Sequence, residues 1–260
     1  METLTLDVRD GVAWCTLDGP ALNALDTAMF TALLDTAEAL RERSDVRVAV
    51  ITGAGRAFCS GQNLKTFTEE VDVSNPNDVR RYLRFVGRVV MAWIQLDIPT
   101  IAAVNGLAVG GGANLALMCD LVVMREDAVI SEIYARRGFV LDMGASWLLT
   151  RRVGLTRAAE LALLGETITA DEAERIGLVN RSVPIDGFDG YVEAVASRLA
   201  ASPTAGLAMI KSQLRHAHLM DLEAALEQEA YAMSMAFATE DVSEAMTAFR
   251  EGREPEFRGR

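Results

Sequence analysis

The chain opens with two runs in which apolar and polar side chains alternate, residues 3–8 and 12–17, separated by Asp10-Gly11. A period of two suits a half-buried strand, and Asp-Gly supplies the dihedrals of a tight hairpin, so the pattern predicts a β-hairpin. The period then lengthens: Met29, Leu33, Leu34, Ala37 and Leu40 recur at helical spacing behind Asp26, a preferred N-cap, until the charged run 41–45. The apolar segment 46–52 reads as a strand covered on both faces. Residues 66–80 are polar and contain Asn75-Pro76, which predicts a loop or mobile flap, and a helix follows over about 77–96. Past Pro99, Thr100–Val104 reads as a short strand, Gly110, Gly111 and Gly112 lead into a helix ending near Cys119, and 121–124 is strand again. Segments 156–164 and 170–176 read as short helices, and 178–183 as a strand before Pro184. From about 191 onward the pattern is almost wholly helical, with a long run over 221–237. Strands alternating with helices, followed by helices alone, predict an α/β core over 1–195 and a C-terminal helical subdomain over 196–260. The late helices are rich in Ala and Met and carry an apolar stripe suited to the core or to a neighbouring subunit, so a homo-oligomer is expected.

Composition narrows the function classes. Half of the 260 residues are hydrophobic and 24% charged, as in ordinary folded proteins. A formal charge of -12 argues against a nucleic-acid partner, because phosphate-backbone affinity needs clustered Lys and Arg. The first residues carry acids and alternate in polarity, unlike the basic start and apolar run of a signal peptide, so the expected compartment is the cytoplasm. No stretch approaches the roughly 18 to 20 uninterrupted apolar residues of a membrane helix. Cys15, Cys59 and Cys119 are odd in number and lack metal-site spacing, so buried free thiols are expected and no metal. His216 and His218 sit two apart in a helical segment, where sharing a face needs three or four, which disfavours histidine-dependent hydrolysis and metal chemistry.

Two glycine clusters follow predicted core strands: Gly53-Ala54-Gly55 with Cys59-Ser60-Gly61-Gln62-Asn63-Leu64, and Asn105-Gly106 through Gly110-Gly111-Gly112. Neither has the spacing of a dinucleotide-binding fingerprint, since Phe58 takes the third glycine position of the first, and neither ends in the Lys-Ser/Thr of a phosphate loop. A triple glycine between strand and helix lets backbone N–H groups approach a ligand without Cβ hindrance. The helix start adds unpaired amides suited to an oxygen gaining negative charge.

Taken in order, Ala21-Leu22-Asn23-Ala24-Leu25, Arg56 through Leu64, Ala102 through Gly112, Met118-Cys119-Asp120, Gly165 through Val179 and the terminal Pro255-Glu256-Phe257 carry a resemblance. The chain resembles the crotonase, or enoyl-CoA hydratase/isomerase, superfamily along nearly its whole length. That resemblance implies a crotonase-like spiral of ββα units and an acyl-CoA thioester substrate whose CoA serves in place of a separate cofactor. It also implies a homotrimer or dimer of trimers. In such enzymes the amides of the residue after the first-loop glycine and of the middle glycine of the triple form an oxyanion hole; these map onto Gln62 and Gly111. The resemblance further implies CoA bound in a bent form near 21–25 and 60–65, which makes Ala21, Asn23, Ser60, Asn63, Leu64 and Lys65 candidate contacts, Lys65 for phosphate.

Proton transfer needs a carboxylate as well. Hydratases of the superfamily use two glutamates, one two residues beyond the triple glycine and one twenty further on; here those positions hold Asn114 and Tyr134. Glu132 lies two residues early and would share a face with Tyr134 if 129–134 is a strand, so a local backbone shift could bring its carboxylate into the site; otherwise it is an exposed or salt-bridged acid. Asp142, eight residues after Tyr134, matches the acidic position of double-bond isomerases and becomes the expected proton shuttle, with helix capping near Ala145 as its structural alternative. Tyr134 and Asn114 would line the acyl pocket or place a water. One carboxylate favours moving a proton between carbons, so isomerisation of an enoyl-CoA leads. Hydration of a 2-enoyl-CoA, other thioester-enolate chemistries and non-catalytic acyl-CoA binding are the alternatives.

Overall fold

The computed structural model describes residues 3–260. Ten strands run in chain order among the described residues: β1 Leu4–Arg9, β2 Val12–Leu17, β3 Val48–Gly53, β4 Ala57–Cys59, β5 Thr100–Val104, β6 Leu107–Val109, β7 Leu121–Arg125, β8 Val129–Ser131, β9 Thr167–Thr169 and β10 Arg181–Val183. The hairpin forms as its sequence demands, with β1 and β2 antiparallel, Leu4 opposite Leu17, and Asp10 and Gly11 both left-handed at φ 52° and 75°. From β3 to β8 successive strands alternate between two sheets, after which β9 pairs with β8 in the second and β10 returns to the first. Strands β3, β5, β7 and β10 extend the hairpin into a six-stranded sheet of order β1-β2-β3-β5-β7-β10, while β4, β6, β8 and β9 form a second sheet in that order. Successive turns of the chain therefore lay one strand in each sheet and return by a helix, which is the spiral of ββα units.

Two apolar clusters fill the layers. One face of the large sheet meets Met29, Phe30 and Leu33 of helix Thr27–Arg41 and Trp93 of helix Pro76–Ile94, together with Phe58 of β4. The other face, through Val12, Val48, Val50 and Ile101, meets Phe188, Val192, Ala196 and Ala200 of helix Phe188–Ala200. Both faces of β3 are thus covered, the physical reason for its unbroken apolar run. Asp26 caps its helix as expected, accepting from Met29 N at 2.9 Å. Helix Phe188–Ala200 runs through the expected division at 195/196. Beyond it lie helices Thr204–His216, Leu222–Ala236 and Glu240–Glu251.

Several local expectations are corrected. The supposed loop 66–80 is mostly helical: Asn63 begins helix Leu64–Glu70, accepting from Thr66 N, and Asn75 caps the next helix, whose first turn starts with Pro76. Asn-Pro here opens a helix rather than a flap, because proline gives up an N–H that the first turn leaves unpaired anyway. The predicted helix 156–164 is the second part of Ala145–Leu164, broken at Gly154 with φ 70°. Strand β8 ends at Ser131 and passes into a 3-10 turn over Ile133–Arg137, so Glu132 and Tyr134 do not share a strand.

Candidate functional site

The first wall of the site is built by a left-handed turn. Ala21, Leu22 and Asn23 take φ of 52°, 64° and 59°, a conformation costly for side-chain-bearing residues unless the surroundings fix it. Asn23 does so. Its Oδ1 accepts from Gly19 N at 3.1 Å, and its Nδ2 faces the carbonyls of Ala54, Ala57 and Phe58 at 2.9 to 3.2 Å. Expected among the CoA contacts, Asn23 is buried with both polar atoms turned to the protein, and acts as a clamp instead. Ser60 then bonds the exposed Ala21, Oγ to carbonyl, at 2.7 Å.

Main-chain bonds from Leu25 N to Gly61 O and from Asn63 N to Leu25 O, each 2.8 Å, lay the first glycine loop beside this turn in parallel register. In that register the amide of Gln62, between the two bonded residues, points away from Leu25. It points toward the second loop. A Cβ built on Gly61 would sit 3.5 Å from Gly111 N, and one on Gly111 would sit 3.9 Å from Gln62 N. Gly112 is pressed closer still, its Cβ position only 2.1 Å from Cys59 O. Only glycine lets the loops meet this way. Gly111 stands in the first turn of helix Gly111–Leu117, where an amide has no intrahelical acceptor. Among the described residues neither the Gln62 nor the Gly111 N–H has an acceptor. The Gln62 side chain turns aside to Tyr82 Oη at 3.0 Å, leaving its backbone to face the cavity.

That cavity, about 350 Å³, is lined by Leu25, Ser60, Gly61, Gln62, Leu64, Val109, Gly110, Gly111, Ile133, Tyr134, Arg137, Phe139, Asp142 and Met143. Asn63 stands behind it as a helix cap, and Lys65 is exposed outside the lining. Asp142 reaches the cavity through a strained bend in which Met143, at φ 48°, precedes the left-handed Gly144. Helix capping is not its role, for the Asp142 carboxylate accepts a short hydrogen bond from the Tyr134 hydroxyl. Tyr134 Oη in turn accepts from Asn114 Nδ2 at 3.1 Å, and Asn114 Nδ2 lies 3.4 Å from Glu132 Oε2. The residues at the two hydratase-glutamate positions thus hold each other and orient Asp142.

Burial raises the Asp142 carboxyl above the ordinary carboxylate range, with the Tyr134 hydrogen bond opposing. Burial also pushes Tyr134 up, aided by the Asp142 charge, so the phenol stays protonated. Glu132 is neither exposed nor salt-bridged. At 3% exposure its carboxyl is pushed up to about 8 by burial, against the Asn114 bond and with a smaller push from Asp142.

Sequence reasoning missed Met143, whose Sδ would lie 3.1 Å from a Cβ on Gly111, and Tyr82, which fixes the Gln62 side chain. No local signal marks Met143, a left-handed residue that is not glycine. The three cysteines are buried and unpaired as expected, each thiol pushed up to about 12 by burial. His216 and His218 lie outside the cavity, His218 edge-on to Trp147. No helix among the described residues is long and apolar enough to cross a membrane.

Known proteins match this chain along nearly its whole length. An enoyl-CoA hydratase/isomerase family model matches residues 7–260. A Rhodobacter capsulatus protein named "Probable enoyl-CoA hydratase" is 39% identical over 261 residues, covering 100% of this chain and 99% of the relative. The 1,2-epoxyphenylacetyl-CoA isomerase of Escherichia coli is 33% identical with 100% of both chains covered. The crystal structure of an enoyl-CoA hydratase from Bacillus anthracis superposes with a TM-score of 0.93 at 29% identity, covering 99% of this chain and 100% of that one. A spiral of ββα units, two glycine loops meeting at a cavity, and matches that run the length of the sequence make this chain an enzyme of the enoyl-CoA hydratase/isomerase, or crotonase, family.

Proposed function

We propose that this enzyme shifts a double bond within an enoyl-CoA, with Asp142 as the proton shuttle and the amides of Gln62 and Gly111 as the oxyanion hole. In the forward direction Asp142 removes an α proton from a 3-enoyl thioester, and the released electron pair moves onto the thioester oxygen. The two N–H groups stabilise this enolate, and losing one such donor typically costs about 100 to 1,000-fold in rate. The pair then returns through the conjugated system, and protonated Asp142 delivers the same proton to the γ carbon, giving the 2-enoyl product. The observation that carries the reading is that Asp142 is, among the described residues, the one carboxylate lining the cavity, while Asn114 and Tyr134 are engaged in orienting it. A single lining carboxylate supports proton transfer between carbons over activation of water by a carboxylate pair.

The bent CoA would pass by the Ala21–Ser60 edge, with Leu64 and Phe139 as apolar walls and Lys65 reaching phosphate. The compartment proposed is the cytoplasm, and the assembly a homotrimer or dimer of trimers. The Escherichia coli isomerase among the relatives supports isomer-forming chemistry; the hydratase name of the Rhodobacter capsulatus relative supports the second reading, hydration of a 2-enoyl-CoA. Matched 2-enoyl-, 3-enoyl- and 3,5-dienoyl-CoA, followed by mass and ultraviolet absorbance, separate them. An isomer is formed at unchanged mass with a shifted chromophore; gain of one water would overturn the proposal. Asp142→Asn should lower turnover by at least about 100-fold while CoA affinity stays nearly intact.

A further inference from the structure

Behind the Tyr134–Asp142 pair the hydrogen-bond accounting does not close. Asn114 is fully buried and Glu132 nearly so, yet Asn114 Oδ1 and Glu132 Oε1 both lack a partner. Each is an acceptor without a donor, on side chains whose other polar atoms lie 3.4 Å apart. Burying a polar atom unpaired is costly, so native structures rarely leave two on neighbouring side chains. A proton on Glu132 Oε1 would turn that atom into a donor, the partner that Asn114 Oδ1 lacks.

The groups facing Glu132 agree with that placement. Helix Gly111–Leu117 presents the neutral amide of Asn114; the bend before helix Ala145–Leu164 presents Asp142; its own turn presents Tyr134. Among the described residues no cation bonds to the Glu132 carboxyl. An anion there would face Asp142 with only the Asn114 hydrogen bond to offset it, in surroundings where charge is poorly solvated.

We propose that Glu132 is a positioning residue that works as a neutral carboxylic acid, bonding Asn114 Oδ1 and so fixing the Asn114 amide with Nδ2 toward Tyr134. With Nδ2 supplying a hydrogen bond to Tyr134 Oη, the phenol must direct its own proton to Asp142. Tyr134 then occupies one oxygen of Asp142 in every step, and the other oxygen is left to meet the substrate. Ionised Glu132 would offer Asn114 Oδ1 no donor, leaving the Gly110 carbonyl and Tyr134 as the remaining partners of the amide, so that the amide can turn, take Nδ2 away from Tyr134 and release the phenol. The inference rests on the reading of Asp142 as the proton shuttle.

The experiment is the pH profile of kcat. Glu132 takes its proton below about 8 and loses it above, so wild-type kcat should fall as pH rises through that value. Glu132→Gln keeps the shape, a donor and an acceptor, but cannot ionise. It should hold kcat at about pH 7 within roughly threefold of wild type and lose the alkaline fall, with KM unmoved. A loss of about 100-fold at every pH would overturn the proposal, since an ionised carboxylate would then be required, and so would an alkaline fall that persists unchanged. Should the variant fold poorly, infrared spectra of wild type carrying carbon-13-labelled glutamate carboxyls provide the second measurement. A protonated-carboxyl band present at about pH 6.5 and lost by about pH 9 supports the assignment; its absence at the lower pH overturns it. Asp142→Asn assayed in parallel keeps the two readings apart. Retained turnover there sinks the proton-shuttle reading, whereas a lost turnover beside an unaltered Glu132→Gln profile sinks only this one.

Discussion

The adjacent residues Gly111 and Gly112 make different demands, and substitution should separate them. A methyl at Gly112 would lie 2.1 Å from the Cys59 carbonyl oxygen, and a main-chain neighbour within β4 cannot rotate away. Overpacking of this kind costs about 1 to 3 kcal/mol, and the rigid neighbour puts Gly112→Ala at or beyond the upper end. Its urea midpoint should fall accordingly. At Gly111 the methyl would meet Leu25 Cδ1 at 2.9 Å and Met143 Sδ at 3.1 Å, both ends of side chains that can shift. Gly111→Ala should therefore fold with a midpoint close to wild type and yet lose roughly 100-fold in kcat, because small displacements of a reacting geometry are that costly. If both variants lose stability equally, Gly111 is a packing glycine and its amide needs another role. Asn23 carries a related lesson. Its place in the Ala21–Leu25 run was legible, but its task was not: three carbonyls 31 to 35 residues away decide that it clamps a turn.

The elements that the sequence showed best are those whose pattern records their own surroundings. Strand β3 is covered on both faces and reads as an apolar run, and the first hairpin carries its turn in two residues. The failures share a cause: a local signal whose meaning a neighbour sets. Asn75-Pro76 looks like a loop until Asn75 is seen as a cap, and segment 129–134 looks like one strand until β8 stops at its short partner β9. Helix Leu64–Glu70 was missed because it buries no residue and so shows no apolar stripe. Such a helix depends on its first turn, where Asn63 Oδ1 meets Thr66 N and the Asn63 carbonyl accepts from Phe67 N. Asn63→Ala should cost about 1 kcal/mol and raise amide exchange across 64–70. Asp26→Ala, a comparable loss at helix Thr27–Arg41, should leave exchange across 64–70 alone; equal exchange in both variants would show that the cap does not hold this segment.

Across the whole molecule, the C-terminal helices are tied to the core at a few polar points and leave much apolar surface outward. Lys211 is buried against Asp120 at 2.6 Å and the Ile98 carbonyl at 2.8 Å, and Arg47 reaches Thr204 and the carbonyls of Ser202 and Phe257. Helix Leu222–Ala236, by contrast, buries none of its residues within the chain: Leu222, Leu226, Tyr231 and Met233 are each more than half exposed. A helix of 15 residues gains most of its stability from tertiary packing, so one with no buried face is marginal alone. In the homotrimer proposed above a second copy of the chain would cover these exposed apolar residues. Sedimentation equilibrium should then give three or six times the 28.1 kDa of one chain. Leu226→Glu places a charge on that face without touching the cavity, and should shift the mass toward the single chain while exchange rises first across 222–236. A wild-type mass equal to one chain, or a Leu226→Glu variant that stays assembled with helix 222–236 still protected, would mean that this helix faces solvent and that subunits meet elsewhere if at all.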